Sequence, residues 1–171
     1  EYNILGSTQD GSLTLSSEQA VRLIISNLTL TNPAGAAFNM SGDMTSTVFL
    51  SPGTTNTLSD GTASTENATF LAEKGLIFTG TGSLNVTGLK KHAIASGTTI
   101  AIQSGTITIP AAASDGFNSN QFTLEDGTVS IQSSGDGIDA NGTVTINGGF
   151  LTINSTSNDV KSQSMEEKLN W

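Results

Sequence analysis

Apolar and polar residues alternate along most of the chain in short runs that return at a fixed spacing. Within each run every second residue is apolar, which is typical of a β-strand with one buried face. Aligned on their apolar residues, the runs fall into three columns with steps of 21 to 23 residues. The columns are Leu84, Ile107, Val129 and Leu151; Ile100, Phe122 and Val144; and Ile94, Phe117, Ile138 and Val160. Three columns with one period indicate a repeat architecture with three strands in each repeat.

Two architectures use repeats of about this length. A leucine-rich repeat requires a recurring L-x-x-L-x-L-x-x-N frame, and only the stretch 25–32 approaches it. A parallel β-helix stacks coils of three short strands, with apolar side chains inside and turns at the corners. Gly105, Gly127, Gly148 and Gly149 precede strands, where a positive φ and a close backbone approach are useful. The sequence therefore predicts an all-β fold, a parallel β-helix with about 22 residues per coil.

The regularity of the repeat varies along the chain, which we interpret as one domain over 1–171 with about seven coils. Residues 80–161 are predicted to form regular coils, and 1–79 less regular ones. Phe38 and Phe70 continue the Ile94 column backwards with steps of 32 and 24, so a longer loop is expected, and 51–66 is its predicted place. The end, 162–171, is predicted to be a cap or a truncated coil, and 165–169 shows helical spacing.

The composition restricts the partners. The 171 residues carry a formal net charge of −9, with 15 acidic and 6 basic side chains. Phosphate backbones and anionic lipids are bound by clustered Lys and Arg, so neither nucleic acid nor a membrane surface is an expected partner. No apolar run approaches the length of a membrane span, and the absence of Cys excludes disulfides and thiolate metal sites. A polar, Cys-free, acidic chain favours a bacterial extracellular or cell-surface location, although the chain shown has no signal sequence.

Acidic residues and amides concentrate in one turn column. In a β-helix, equivalent positions of successive coils lie about 5 Å apart, so these carboxylates would stack and repel one another. A hard divalent cation with oxygen ligands would remove the conflict, and the sequence predicts a Ca²⁺ site there. The alternative is that each Asp-Gly simply forms a turn. The predicted calcium ligands are Asp115, Asp136, Asp139, Asn158, Asp159 and Asn118.

The basic residues beside this column are weaker candidates for chemistry. His92 occupies an earlier coil, and no nucleophile is placed by sequence to form a triad with it. No catalytic residue is therefore predicted. Should the protein be a lyase, Lys161 or Lys91 would be the base. Aromatic residues are scarce, which weakens a cellulose-binding mode based on ring stacking, and the sugar-contacting residues are not identified by the sequence.

Several segments resemble a known family. They are 80–88 (GTGSLNVTG), 104–109 (SGTITI) with 114–116 (SDG), 134–139 (SGDGID) and, most specifically, 53–61 (GTTNTLSDG). They are similar to the bacterial secreted carbohydrate-binding domains first described from a cellulolytic clostridium, which are related in fold to polysaccharide lyases. The resemblance implies a right-handed coil, bound Ca²⁺ and affinity for cellulose or acidic polysaccharides such as polygalacturonate. His92 departs from the family pattern, because it replaces an acidic residue in one coil.

Three functions follow from these observations. The first is a secreted or cell-surface, calcium-dependent polysaccharide-binding module without catalytic activity, in which the cation bridges an acidic protein and an acidic glycan. The second is a calcium-dependent, pectate-type lyase with a Lys base. The third is a structural or adhesin β-helix without a glycan site. The sequence leaves the glycan and the oligomeric state open.

Overall fold

The computed structural model describes residues 1–167, with side chains described as far as Ser164. All regular structure in this range is β-strand, and every strand pairing is parallel. The strands are β1 (Tyr2–Thr8), β2 (Leu13–Ser16), β3 (Arg22–Asn32), β4 (Phe38–Ser41), β5 (Ser46–Leu50), β6 (Thr55–Asp60), β7 (Ala68–Ala72), β8 (Leu76–Gly80), β9 (Ser83–Gly88), β10 (His92–Ser96), β11 (Thr99–Ile102), β12 (Thr106–Ala112), β13 (Phe117–Ser119), β14 (Gln121–Leu124), β15 (Thr128–Ser133), β16 (Ile138–Ala140), β17 (Thr143–Ile146), β18 (Phe150–Ser155), β19 (Val160–Lys161) and β20 (Ser164–Glu167).

The strands stack into a prism with three faces. The first face runs from β3 through β5, β8, β11, β14 and β17 to β20, and the second from β3 through β6, β9, β12 and β15 to β18. The third face runs from β2 through β4, β7, β10, β13 and β16 to β19. The long strand β3 turns the corner at Asn27, with a φ of 52°, and so joins the first two faces into one sheet. The predicted parallel β-helix is confirmed, with about seven coils. Its right hand stays a prediction.

The register confirms the three predicted columns. Ile107 pairs with Leu84 and Val129, and Phe122 pairs with Ile100 and Val144. On the third face the successive partners are Leu13, Phe38, Phe70, Ile94, Phe117, Ile138 and Val160, with steps of 25, 32, 24, 23, 21 and 22 residues. The regular coils therefore have the predicted length, and the earlier coils are longer.

The inward side chains form one continuous apolar core. Phe38 and Phe70 stack at 4.7 Å between ring centroids, and Phe78 meets Phe70 edge-on at 5.7 Å. Phe117 and Phe122 pack at 5.0 Å within one coil. At the corner before the second face, Gly105 and Gly127 have φ values of 96° and 103°, and a Cβ on Gly127 would lie 2.5 Å from the Gly105 carbonyl oxygen. Glycine is therefore required where one coil crosses the next so closely.

Two expectations need correction. The predicted loop 51–66 contains β6, which pairs with β3 and β9. Its polar composition resembles a loop, but Asn56 is fully buried and ties three coils together, because its Oδ1 accepts from Leu28 N at 3.0 Å and its Nδ2 donates to Ser83 O at 3.1 Å. In the end segment 162–171, residues 164–167 form β20 on β17 despite their helical spacing, and 168–171 lie outside the described residues.

Candidate functional site

Two rows of mainly polar residues run along the third face, one on each side of the row that contains Phe117 and Ile138. The inner row consists of His92, Asp115, Asp136 and Asn158, each two residues before an inward apolar residue, which is buried in the first three cases and half-buried at Val160. The outer row faces outward, and its members are register partners: Asn39, Leu71, Ala95, Asn118, Asp139 and Lys161. Five of the six predicted calcium ligands therefore lie in two adjacent rows, and Asp159 lies beside the inner row.

The main chain fixes the spacing of these rows. Ala93 N donates to Asp115 O at 3.1 Å, Gly116 N to Asp136 O at 3.0 Å, and Gly137 N to Asn158 O at 2.9 Å. A Cβ on Gly116 would lie 2.6 Å from Gly137 O, so the Asp-Gly pairs serve the close approach of adjacent coils. The carbonyl groups at these positions thus accept the hydrogen bonds that hold the coils together.

Asp115 is buried and has donors on both carboxylate oxygens. Its Oδ1 accepts from Asp136 N at 2.9 Å and from Ser114 Oγ at 3.3 Å. Its Oδ2 lies 3.0 Å from His92 Nδ1 and 3.4 Å from Asn118 Nδ2. Burial raises the pKa of Asp115, but the hydrogen bonds from His92 and Asp136 N outweigh it, and the pKa lies below its usual value.

Asp136 repeats this arrangement one coil further on. Its Oδ1 accepts from both N and Nδ2 of Asn158, each at 2.9 Å. Burial raises the pKa of Asp136. The hydrogen bonds from Asn158 and Ser157 lower the pKa by more than burial raises it, so the pKa falls below its usual value. Each carboxylate in the inner row therefore caps the backbone N–H of the next coil, which separates the stacked charges by a donor.

The outer row ends in an ion pair. Lys161 Nζ lies 3.2 Å from both carboxylate oxygens of Asp139 and 3.6 Å from Asp136 Oδ2. The hydrogen bond to Asp139 raises the pKa of Lys161 above its usual value. Asn118 Nδ2 also donates to Asp139 Oδ2 at 3.4 Å, and Asp159 Oδ1 accepts from Ser155 Oγ at 3.0 Å.

This donor set does not fit a calcium ion. Calcium takes six to eight oxygen ligands, whereas Asn118 and Asn158 direct their N–H₂ groups at the carboxylates, and the nearby carbonyls accept ladder hydrogen bonds. Among the described residues there is no group of three or more His, Asp or Glu side chains arranged to hold a metal ion. Calcium binding stays a prediction, and no chemical step is derived from it.

A shallow groove lies over the third face beside the inner and outer rows, and we call it the third-face groove. It has a volume of about 300 Å³ and covers β7 and β10 with the turns that flank them. Its lining combines apolar Leu71 and Ala95 with polar Asn67, Glu73, Lys91, His92 and Asn118. Of the residues predicted from the sequence, Lys91, His92 and Asn118 reach this groove, and the carboxylates Asp115, Asp136 and Asp139 do not line it.

The sequence analysis did not identify Leu71 and Ala95. The signal that could have found them is an apolar residue at an outward position of a strand. In a strand with one buried face, the outward positions alternate with the buried ones and are normally polar. Leu71 and Ala95 occupy adjacent coils of the outer row, where the following members are Asn118 and Asp139. Recognising them required the register between strands 24 residues apart.

Comparisons with known proteins agree with this fold. A protein-family model described as "Carbohydrate-binding domain-containing protein" matches residues 1–167. The chain is also similar to a solved structure described as "Structure of the polysaccharide lyase-like protein from C. thermocellum, Gadolinium derivative". That match has a TM-score of 0.75 and 17% sequence identity, covering 97% of this chain and 96% of that chain, and at this identity it shows the fold alone. No curated protein matches the chain.

Proposed function

Because the chain belongs to the carbohydrate-binding domain-containing protein family, we propose that it binds a polysaccharide on its third face, as a non-catalytic module outside the cell. The observation that carries the proposal is the third-face groove, in which an apolar strip of two outward residues is bordered by amide, carboxylate and ammonium groups. No helix within residues 1–167 is able to cross a membrane.

The groove offers each kind of contact that a sugar chain requires. Half-buried Leu71 supplies apolar contact for the C–H face of a sugar ring, with Ala95, 7% exposed, beside it, and a ligand that covers Leu71 removes apolar surface from water. Asn67 and Asn118 can donate to and accept from hydroxyl groups, and Glu73 can accept. Lys91, at the border, can pair with the carboxylate of a uronic acid.

The charge distribution favours an acidic polysaccharide such as polygalacturonate. The whole chain carries −9, so binding an anionic polymer requires a local positive contribution. Three of the six basic residues, Lys74, Lys90 and Lys91, flank β7 or β10 of the third face. Cellulose recognition by ring stacking lacks a platform among the described side chains, because the exposed Tyr2 and Phe150 lie in the first and last coils and Arg22 covers Phe49 at 4.8 Å.

Calcium dependence is not part of this proposal, because the carboxylates of the inner and outer rows are already paired with N–H and ammonium groups of the same chain. The lyase alternative also loses support at Lys161, since a base must be deprotonated and ion pairing with Asp139 raises the pKa of Lys161. Lys91 remains the candidate base for that alternative. Absorbance of unsaturated uronides, followed with and without added Ca²⁺, would detect lyase activity, and we expect none.

The test is calorimetric titration of the protein with galacturonate oligosaccharides, cello-oligosaccharides and a neutral control glycan, each with and without EDTA. We expect the galacturonate oligomers to bind and EDTA to have no effect. Lys91→Ala should weaken binding about fivefold, the equivalent of about 1 kcal/mol for an exposed ion pair.

Lys90→Ala is the matched control, because Lys90 is an exposed lysine at the preceding position and does not line the groove. Its affinity should fall less than that of Lys91→Ala, because Lys90 adds to the local positive charge but makes no contact in the groove. Absence of binding to every glycan would refute the proposed function, and equal losses in the two variants would refute the place of binding.

A further inference from the structure

The carboxylates of the third face lie next to cationic and N–H groups of the same chain. We propose that Lys161 takes the place of a divalent cation bridging Asp136 and Asp139, while His92 pairs with Asp115 at the other end of this polar site, so that the three carboxylates have partners within the chain and need no metal. This inference goes beyond polysaccharide binding and does not depend on it.

The ammonium group of Lys161 stands where a bridging cation would have to stand. Its Nζ is within 3.2 Å of both oxygens of Asp139 and 3.6 Å from Asp136 Oδ2. These two carboxylates come from one coil, and Lys161 comes from the next, directly beside Asp139 in the register. The lysine thus spans two acidic groups with one positive charge, as a metal ion would.

Position in the stack explains why a single lysine suffices. Asp136 Oδ1 is already satisfied by two donors from Asn158, so only its Oδ2 faces Lys161. Asp139 Oδ2 also accepts from Asn118 Nδ2. Lys161 therefore faces three oxygens, Asp136 Oδ2 and both oxygens of Asp139, of which Asp139 Oδ2 already has a neutral donor.

His92 has the corresponding role at the other end of the column. Its Nδ1 lies 3.0 Å from Asp115 Oδ2, and both side chains are more than nine-tenths buried. A buried carboxylate without a partner is costly, and the imidazole of His92 is the polar group placed next to Asp115 Oδ2 inside the coil. No water or ion is needed to complete the environment of Asp115, because its other oxygen accepts from Asp136 N.

A divalent cation and the Lys161 ammonium cannot share this place. Both would require the same oxygens of Asp139 and Asp136, and two positive charges at that separation repel. Removing the ammonium while keeping the carboxylates would free three oxygens from two residues, which is a sufficient start for a weak calcium site completed by water. The proposal therefore predicts a latent site that appears when Lys161 loses its charge.

The experiment measures the melting temperature and calcium-binding heat of the full chain and of three variants, in EDTA and in excess CaCl₂. Lys161→Met keeps most of the length of the side chain and removes the charge, and Lys161→Arg keeps the charge. Lys90→Met is the matched control, a lysine that forms no ion pair among the described residues.

We expect the melting temperature of the unmodified protein, Lys161→Arg and Lys90→Met to be the same in EDTA and in calcium. Lys161→Met should melt lower in EDTA and recover in calcium. A bound ion at about 100 times its Kd raises the melting temperature of a protein of this size by about 5–10 °C, so the two cases are easily separated. Stoichiometric calcium binding by the unmodified protein, or a Lys161→Met variant as insensitive to calcium as Lys161→Arg, would overturn the proposal.

Discussion

Asp115 and Asp60 are both buried carboxylates in the same β-helix, but they differ in their hydrogen-bond partners and in the direction of their pKa shifts. Asp115, in the regular coils, accepts hydrogen bonds from Asn118, Ser114 and the backbone of the next coil, and its Oδ2 lies 3.0 Å from His92 Nδ1. Asp60, in the longer coils, accepts from Leu89 N at 2.6 Å, and its Oδ2 has no hydrogen-bond partner among the described residues. Burial raises the pKa of Asp60, whereas the pKa of Asp115 is lowered despite burial.

The difference in hydrogen bonding between Asp115 and Asp60 comes from the register of the coils and not from how deeply each side chain is buried. In the regular coils each polar residue of the inner row lies beside its equivalent in the next coil, so a carboxylate meets a backbone N–H at a constant place. Asp60 ends β6, where the long connection to β7 interrupts this regularity. Repetition therefore stabilises stacked acids, and the irregular coil leaves one acid incompletely paired.

The largest expected effect is that of Asp115→Asn. The amide would place an N–H₂ group against donors and remove the charge that they stabilise, so the free energy of unfolding at neutral pH should fall by about 2–3 kcal/mol. Urea denaturation of the variant and the unmodified protein measures this difference.

The same substitution at Asp60 should cost less than about 1 kcal/mol, because it removes a carboxylate that already lacks one partner. The pair of variants has the same change in shape and differs only in the donors around it. Equal losses of unfolding free energy at the two positions would show that burial alone determines the cost of the substitution. They would contradict the distinction drawn between the regular and the longer coils.

A smaller effect is expected in the pH dependence of stability. The raised pKa of Asp60 means that the folded protein binds this proton more tightly than the unfolded chain, so its contribution is present below the usual value of 3.8 and is lost as pH rises through the folded pKa. The lowered pKa of Asp115 acts in the opposite sense: its stabilisation is present above 3.8 and is lost as pH falls through the folded pKa.

Melting temperatures measured from neutral to acidic pH should therefore separate the two residues. Asp60→Asn should lose the gain that the unmodified protein shows as pH falls towards 3.8, while keeping the steep loss below it. Asp115→Asn should show a shallower loss below 3.8. Parallel curves for all three proteins would contradict the assigned pKa directions.

The fold was predictable because the repeat appears in three separate columns, and their register was confirmed residue by residue, as for Ile107 between Leu84 and Val129. The strand β6 was not predictable, because Asn56 and Thr57 are typical loop residues. Only the hydrogen bonds of Asn56 to neighbouring coils show that this segment is a strand. A single sequence contains no information about such bonds between coils.

The candidate site was predictable only in part. Spacing correctly brought Asp115, Asp136 and Asp139 to one face, but the inference of a cation counted charged side chains and omitted backbone donors. Those donors become visible once successive coils are placed in register. The groove was missed because Leu71 and Ala95 become an apolar strip only when two coils are stacked.

The most direct test of binding on the third face is a map of backbone amide chemical shifts during titration with a galacturonate oligosaccharide. The account predicts that the largest changes occur at the groove, in 67–73 and 91–97, and are unaffected by EDTA. Changes confined to the first or second face, or a response only when calcium is present, would contradict it.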